Sequence, residues 1–485
     1  MKKRLAALFL ASVVLILSLV TPTFALSPTD LELEKEARSL EAYAGLLEDL
    51  ELKDAVRISP HLPVMPEYYC GAYLDEQGQL NLMLKENAPI SAAELMRQHS
   101  GSTILEHTAL YSFNELNRVI ETINRKLRAS SSPVLNDLVC AYLDEEANCI
   151  VVELQDLTAE KISAFKSTVC NHGCLVFREG TELPALEDDP LLSETIEDDL
   201  TGVQAVAQST VARPLALKIG RKIRLEYAPV DQAAYPGYYG ASALSIGMNV
   251  TLDGQAGFLT AGHGYRHNIE RTCKNGSSSE ILVCNPTGRV YIVDDDVPGK
   301  PEIFIGEVVP REVKYGGSLD SMFVKLVAPT DRNGTPLPNY TVTVSTQTSN
   351  NLIVSALEEL GPPVDILDPE TGNFIPQGAA VTAYAAHTVT PSTSPGHVLS
   401  INYTANPKTP APSTPSLTNM IKTSILTQHG DSGGMLGSMW MPFPNRVAFC
   451  GILSGVTSDG SYSTAYSTLK YYYANRITWN VSPLS

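Results

Sequence analysis

Hydrophobic and polar positions along this chain change rhythm near residue 200. Before that point helical and strand spacings alternate. Tyr68 to Leu84 reads as two short strands around a turn at Asp75-Glu76-Gln77-Gly78. Leu138 to Leu154 repeats the hairpin around Asp144-Glu145-Glu146-Ala147-Asn148. Between them Leu116, Val119, Ile120, Ile123 and Leu127 fall on one helical face, and Ser112 with Glu115 forms a capping box at its start. A second helix is expected through Lys161, Ile162 and Phe165, then an apolar strand through Leu175, Val176 and Phe177. Both hairpins contain Ala-Tyr-Leu-Asp-Glu, at 72–76 and 141–145, which points to an internal duplication. The segment from about Glu67 to Gly180 is therefore expected to be a mixed α/β unit.

From Thr181 to Asp199 the chain turns acidic and loses periodicity, which marks a linker or a cleavage region. Beyond about Tyr227 short β-runs alternate with turn signals, among them the hairpin dipeptides Asp253-Gly254, Asn275-Gly276 and Asn333-Gly334. That pattern predicts an antiparallel β-barrel or sandwich. Asn350 to Gln377 and the Pro, Thr and Ser-rich Asn406 to Ser416 read as surface insertions, and Tyr466 to Asn475 as a terminal helix.

The first residues carry a different message. Lys2, Lys3 and Arg4 precede an apolar run from Leu5 to Val20, and Thr23 and Ala25 stand where a signal peptidase requires small residues. Residues 1–25 are expected to be a secretory signal peptide, leaving a secreted protein with no membrane anchor after its removal. At 485 residues the chain exceeds one ordinary core, so several domains are expected. Its net charge of −18 is unevenly placed. Leu26 to Leu200 holds 33 acidic and 13 basic residues, a balance of −20, whereas Thr201 to the end holds 20 and 19, a balance of −1. Such an acidic half beside a neutral one argues against nucleic-acid binding.

Export permits disulfides. Cys273 and Cys284 flank the Asn275-Gly276 turn and could close a small loop, while Cys450 sits in an apolar stretch as a buried thiol would. Cys170-Asn171-His172-Gly173-Cys174 lacks the further ligands a metal needs, so a local disulfide or free thiols is the reading there. No metal and no other cofactor is expected.

Chemistry concentrates at Gly430-Asp431-Ser432-Gly433-Gly434. A serine between glycines on a tight turn can present its hydroxyl to a carbonyl, with the Gly430 and Ser432 amides as an oxyanion hole. Such a nucleophile needs a base and an orienting acid. His263 stands where an apolar strand ends, in Thr260-Ala261-Gly262-His263-Gly264, whereas His267, His387 and His397 occupy polar, loop-like contexts. Asp320 precedes an alternating strand, Ser321 to Leu326, and fits a buried acid. Its rivals Asp294, Asp295, Asp296 and Asp331 lie in runs or turns of the solvated kind.

The order His, Asp, Ser with these motifs resembles the chymotrypsin-type serine peptidases, most of all the streptogrisin and α-lytic protease branch, over roughly Gly240 to Asn475. Val381 to Asn402 resembles the branch's strand pair ahead of the serine, and Gly451 to Gly455 the strand that pairs with substrate. Asp144 to Asn148, followed by Cys149-Ile150-Val151-Val152, resembles a motif of the branch's pro-region. The resemblance implies two six-stranded antiparallel β-barrels with the triad between them, preceded by an α/β pro-domain that assists folding and blocks the site. The implied division is signal peptide 1–25, acidic pro-region 26–200 with its core at about 67–180, linker and maturation region 201–235, and peptidase 236–485. Gly264 and the strand Gly240 to Met248 lack the disulfide usual beside the histidine, and the pocket disulfide is absent as well.

The resemblance also implies acyl-enzyme hydrolysis of peptide bonds in protein or peptide substrates. His263 would act as base and acid, Asp320 would orient it, and Asp431 would fix the oxyanion loop through an ion pair or hydrogen bonds. Leu426 and Thr427 would form the pocket base, with Ser454, Gly455 and Val456 as its wall. No carboxylate stands there, and Leu453 replaces the histidine of glutamate-selective relatives, so an uncharged, apolar or medium-sized residue is expected before the cleaved bond. The alternatives are a catalytically silent binding or adhesion protein on the same fold and an esterase with a narrow substrate.

Overall fold

A computed structural model of the chain describes residues 35, 38–40, 42–43, 46, 57–59, 62–63, 65–89, 91, 104–129, 132–180, 185–186, 212–275, 278–294, 300–357, 359–360, 374–389, 395–406, 415–428, 430–439 and 446–482. The expected signal peptide, nearly all of the acidic linker and the centres of both insertions lie outside the described residues.

The N-terminal half is built as the same unit twice. Strands β1 (Tyr69–Leu74) and β2 (Leu80–Leu84) form a hairpin, and β3 (Ile104–Thr108) returns parallel to β2. Helix α1 (Phe113–Arg128) follows, and the Ser112 hydroxyl caps it by accepting the Glu115 amide at 3.3 Å. A cap of that kind is worth about 1 kcal/mol. Its whole expected stripe, Leu116 to Leu127, is buried. Next, β4 (Leu138–Asp144) and β5 (Cys149–Leu154) form the second hairpin, and β6 (Leu175–Glu179), after helix α2 (Ala159–Thr168), again returns parallel to the second strand. The two Ala-Tyr-Leu-Asp-Glu copies thus occupy equivalent places, at the end of the first strand and in its turn. One further short strand, β7 (Ala185–Leu186), lies beyond this unit.

The C-terminal half consists of two curled sheets. Its strands are β8 (Arg213–Ile219), β9 (Lys222–Pro229), β10 (Gly240–Ser245), β11 (Met248–Leu252), β12 (Gln255–Thr260), β13 (Ile269–Asn275), β14 (Ser278–Val293), β15 (Glu302–Val308) and β16 (Leu319–Thr330). They continue as β17 (Tyr340–Thr348), β18 (Ala380–Tyr384), β19 (Gly396–Ala405), β20 (Leu417–Thr423), β21 (Met435–Met439), β22 (Arg446–Thr457) and β23 (Gly460–Ala465), then helix α3 (Tyr466–Tyr473) and β24 (Ile477–Trp479). One sheet runs β10-β9-β14-β15-β16-β12-β11-β24, with β13 on β14. The other joins β22, β21, β18, β19, β20 and β23, with β8 and β17 at one end. Asp253 and Gly254 take φ of 49° and 77° in the β11–β12 turn, as a two-residue hairpin requires.

Two expectations are corrected. Residues 201–235 do not form a linker throughout, because β8 and β9 belong to the sheets. Leu217, Ile219, Ile223, Leu225 and Tyr227 are buried there, and the basic Lys218 to Arg224 stretch spans the ends of these strands and their turn. The two expected β-barrels are present as curled sheets, but the count of six strands each is not exact: among the described residues the sheets have ten and thirteen. The larger one is extended because β4 pairs antiparallel with β19, placing Tyr142 opposite Tyr403 and Ala141 opposite Thr404. The sheet β4-β5-β6 of the N-terminal half therefore continues a sheet of the C-terminal half.

A single apolar cluster follows that continuity, with Leu116, Ile120, Leu143 and Ile150 from one half and Val381, Val398, Ile421 and Leu453 from the other. Polar groups line the junction around it. The Ser400 hydroxyl donates to the Leu143 carbonyl at 2.9 Å, and Thr404 Oγ1 to Asn124 Oδ1 at 2.5 Å. Glu145 stands where three segments meet. Its Oε2 accepts the Ala72 amide at 2.9 Å, and its own amide donates to Gln377 Oε1 at 2.9 Å. Burial pushes this carboxyl from an ordinary 4.5 up to about 8. A raised carboxyl stabilises the fold fully below its unfolded range, and that contribution is lost as pH rises toward the folded value. The wild-type chain should therefore lose melting temperature between pH 5 and pH 8, and Glu145→Gln should flatten that fall by roughly 3 °C or more in scanning calorimetry. Parallel curves for the two proteins would show that Glu145 holds no such proton.

Candidate active site

Strand β12 ends at Thr260, and a single 3-10 turn, Gly262–Tyr265, carries His263. Asp320 is the second residue of β16, the neighbour of β12 in the same sheet. Ser432 comes from the other sheet, on the turn between β20 and β21. All three side chains are fully buried. Asp320 holds the histidine twice: Oδ1 accepts the His263 amide at 2.8 Å, and Oδ2 lies 2.6 Å from Nδ1. The far ring nitrogen, Nε2, lies 3.0 Å from Ser432 Oγ. With Asp320 accepting from Nδ1–H, Nε2 is left with its lone pair toward the serine hydroxyl.

The serine turn is shaped by its glycines. Gly430 and Gly433 have φ of 91° and 84°, in the left-handed region that side chains rarely adopt. A β-carbon on Gly433 would also lie 1.9 Å from Thr260 Oγ1. The resulting backbone sorts its amides. Those of Asp431, Gly433 and Gly434 donate to the carbonyls of Gln428, Leu453 and Asp431. Among the described residues no carbonyl or side chain takes those of Gly430 and Ser432.

Asp431 is buried and anchors the turn by hydrogen bonds alone among the described contacts. Its carboxylate accepts the amides of His387 at 2.7 Å, Thr388 at 3.2 Å and Gln428 at 2.9 Å, together with the Thr388 hydroxyl. Of the two alternatives expected for it, an ion pair or hydrogen bonds, these contacts are of the second kind.

Two supports are absent from any sequence motif. Ser245, the last residue of β10, donates its amide to the Ser432 carbonyl at 2.8 Å and its hydroxyl to the Gly430 carbonyl at 3.0 Å. Thr464 of β23 accepts the Asp320 amide at 3.0 Å. In sequence both are small polar residues on alternating strands, indistinguishable from their neighbours. The remaining expected residues divide. Thr427 and Ser454 are buried, the latter 3.5 Å from Thr464 Oγ1, and Gly455 and Val456 continue β22. Leu426 is 62% exposed, on the surface rather than at a buried floor.

Among the described residues, the rival acids and two of the rival histidines serve elsewhere. Asp294 accepts the Tyr340 hydroxyl at 3.0 Å and pairs with Arg213, while Asp331 closes the turn before β17 by accepting the Thr335 amide. Asp295 and Asp296 lie outside the described residues. His267 packs against Tyr265, and His397 Nδ1 lies 3.1 Å from the Gly378 carbonyl. Cys273 and Cys284 are thiols with sulfurs 2.9 Å apart, and Cys450 is buried.

A family model described as a Pro-like C-terminal domain matches residues 114–180, the stretch from α1 to the end of β6. No curated protein matches the chain. Solved structures similar to it include Thermobifida fusca protease A, 18% identical with a TM-score of 0.30, over 55% of this chain and 100% of that one. Cellulomonas bogoriensis chymotrypsin is 15% identical, with a TM-score of 0.29 over the same shares. An α-lytic protease homologue, N4, is 13% identical, with a TM-score of 0.30 over 53% of this chain and 97% of that one.

The Thr464 contact has a measurable consequence. Thr464→Val leaves the buried Asp320 amide without an acceptor, a loss of about 1–3 kcal/mol, and should lower the melting temperature by roughly 2–8 °C. Thr464→Ser keeps the hydroxyl and should stay within about 2 °C of wild type. Equal losses in both variants would assign the effect to packing instead of the hydrogen bond.

Proposed function

We propose that the chain is a secreted serine endopeptidase made as a zymogen. The observation that carries this reading is the buried hydrogen-bond line Asp320–His263–Ser432 beside two amides that no partner engages among the described residues. In the reaction, His263 Nε2 takes the proton of Ser432 as Oγ attacks a peptide carbonyl, and the carbonyl oxygen becomes an oxyanion held by the Gly430 and Ser432 amides. Asp320 stabilises the imidazolium. The imidazolium then protonates the departing amine, leaving an acyl ester on Ser432. Water, activated by the same histidine, attacks that ester and releases the acid.

The substrate's backbone would add as a strand to β22. The chain's own segment β7 already lies there, antiparallel, with Leu186 opposite Gly455 and Ala185 opposite Val456. That contact supports an N-terminal half that occupies the substrate's edge until it is cut, and the continuous sheet β19-β4 supports its role as a folding aid. Because β8 starts at Arg213 and is part of the peptidase, cutting for maturation would fall before it. Thr427, Ser454 and Val456 carry no charge themselves, which favours an apolar or medium-sized residue before the bond that is cut.

Expression of wild type and Ser432→Ala side by side tests the reading. Wild type should appear in the medium shortened at its N-terminus and should hydrolyse peptides after uncharged residues, while Ser432→Ala stays long and inactive. A wild type that is long, inactive and otherwise well folded would instead favour the silent binding protein.

A further inference from the structure

We propose that Cys273 and Cys284 close into a disulfide in an oxidising compartment, and that this bond braces the histidine corner of the site. Their strands form a hairpin, β13 on β14, with Cys273 opposite Glu280 and Cys284 opposite Ile269. Glu280 and Cys284 stand four residues apart on β14, an even step that puts both cysteines on one face, and the coiling of the hairpin brings them together. Both are fully buried in the core beside Leu225, Tyr227, Leu244 and Leu282. Their sulfurs lie 2.9 Å apart. That is nearer than two unbonded sulfurs ordinarily rest, and a small rotation of either side chain reaches bonding distance. Cys284 also lies 3.3 Å from the Leu282 carbonyl, a weak thiol hydrogen bond that closure gives up.

Two strands carry the brace to the site. Gly240 opens β10, and a β-carbon built on it would lie 3.2 Å from Cys273 Sγ, so the start of that strand rests on the sulfur. The same strand ends at Ser245, which holds the serine turn. Cys284 pairs with Pro229 of β9, and two residues earlier on β9 the Tyr227 hydroxyl donates to the carbonyl of Gly264, the residue after His263. Gly264 and β10 hold no cysteine of their own, so the cross-link comes from the neighbouring hairpin. It would close a loop of about a dozen residues in the unfolded chain, a size at which disulfides raise stability measurably. Closure removes two protons and two electrons from the thiols. With oxidised glutathione as acceptor, one cysteine thiolate attacks the glutathione disulfide and expels a glutathione thiolate. The second cysteine then attacks the mixed bond and expels the other, leaving two reduced glutathiones. Because both sulfurs are buried, that exchange belongs to the folding chain, before the hairpin packs against β9 and β10.

The test uses the full-length chain with Ser432→Ala, so that its outcome is independent of the endopeptidase reading. Protein folded with oxidised glutathione is denatured in iodoacetamide without reductant, digested with trypsin and mapped. The peptides Thr272–Lys274 and Asn275–Arg289 should appear joined, and the joined species should vanish on reduction. Hydrogen exchange then reads the brace. In protein folded under reductant, the amides of 258–265 should exchange about three-fold or more faster than in the oxidised form, while those of α1 stay unchanged. A double variant, Cys273→Ala with Cys284→Ala, should show the fast exchange under both conditions. Both cysteines found alkylated, or joined only to other cysteines, would overturn the bond. A joined pair whose reduction leaves exchange at 258–265 unchanged would overturn the brace.

Discussion

Ser245 joins the two sheets at the point where His263, Asp320 and Ser432 meet. His263 and Asp320 belong to one sheet, and Ser432 to a turn of the other. Ser245 ends a strand of the first sheet and binds the carbonyls of both Gly430 and Ser432. Its own carbonyl accepts the Thr260 hydroxyl at 2.8 Å, on the strand that leads to His263. One residue thus fixes the serine turn relative to the histidine's strand. The 3.0 Å approach of Nε2 to Oγ follows from that clamp, since hydrogen-bond geometry tolerates only a few tenths of an ångström.

The second constraint is the edge of β19. A free edge strand invites pairing with another chain, and here β4 of the N-terminal half closes it. The closure is polar as well as apolar: Asn124, Asn402, Thr404 and Glu145 are buried at or beside the junction. Buried polar groups that are bonded across an interface make separation costly, because each half would expose partners that only the other satisfies. The two halves therefore satisfy each other's buried groups, while β7, just beyond the N-terminal unit, pairs with β22.

Much of this was legible in the residues. Period-two alternation around Asp253-Gly254 and the stripe Leu116 to Leu127 both encode their own local geometry, and the structure forms the expected elements. The Ala-Tyr-Leu-Asp-Glu repeat marked two units that share one topology. His263, Asp320 and Ser432 could be singled out because glycine-rich turns and a strand end are local features, and the structure brings the three together. What stayed hidden is non-local. Nothing near Ser245 or Thr464 in sequence says which carbonyl or amide each will meet across the seam. The strands Arg213–Ile219 and Lys222–Pro229 alternate clearly, but the basic residues among them have the look of a solvated segment. Leu426 is the converse case, an apolar residue whose exposure depends on how its loop turns.

On the proposed reading, Ser432 is a nucleophile activated by His263. Peptide mapping of the secreted protein after treatment with a fluorophosphonate tests it most directly. One labelled peptide is expected, containing Ser432, and its labelling should be lost in His263→Ala while that variant still folds. Label on another residue, or equal labelling of Ser432 without His263, would contradict it.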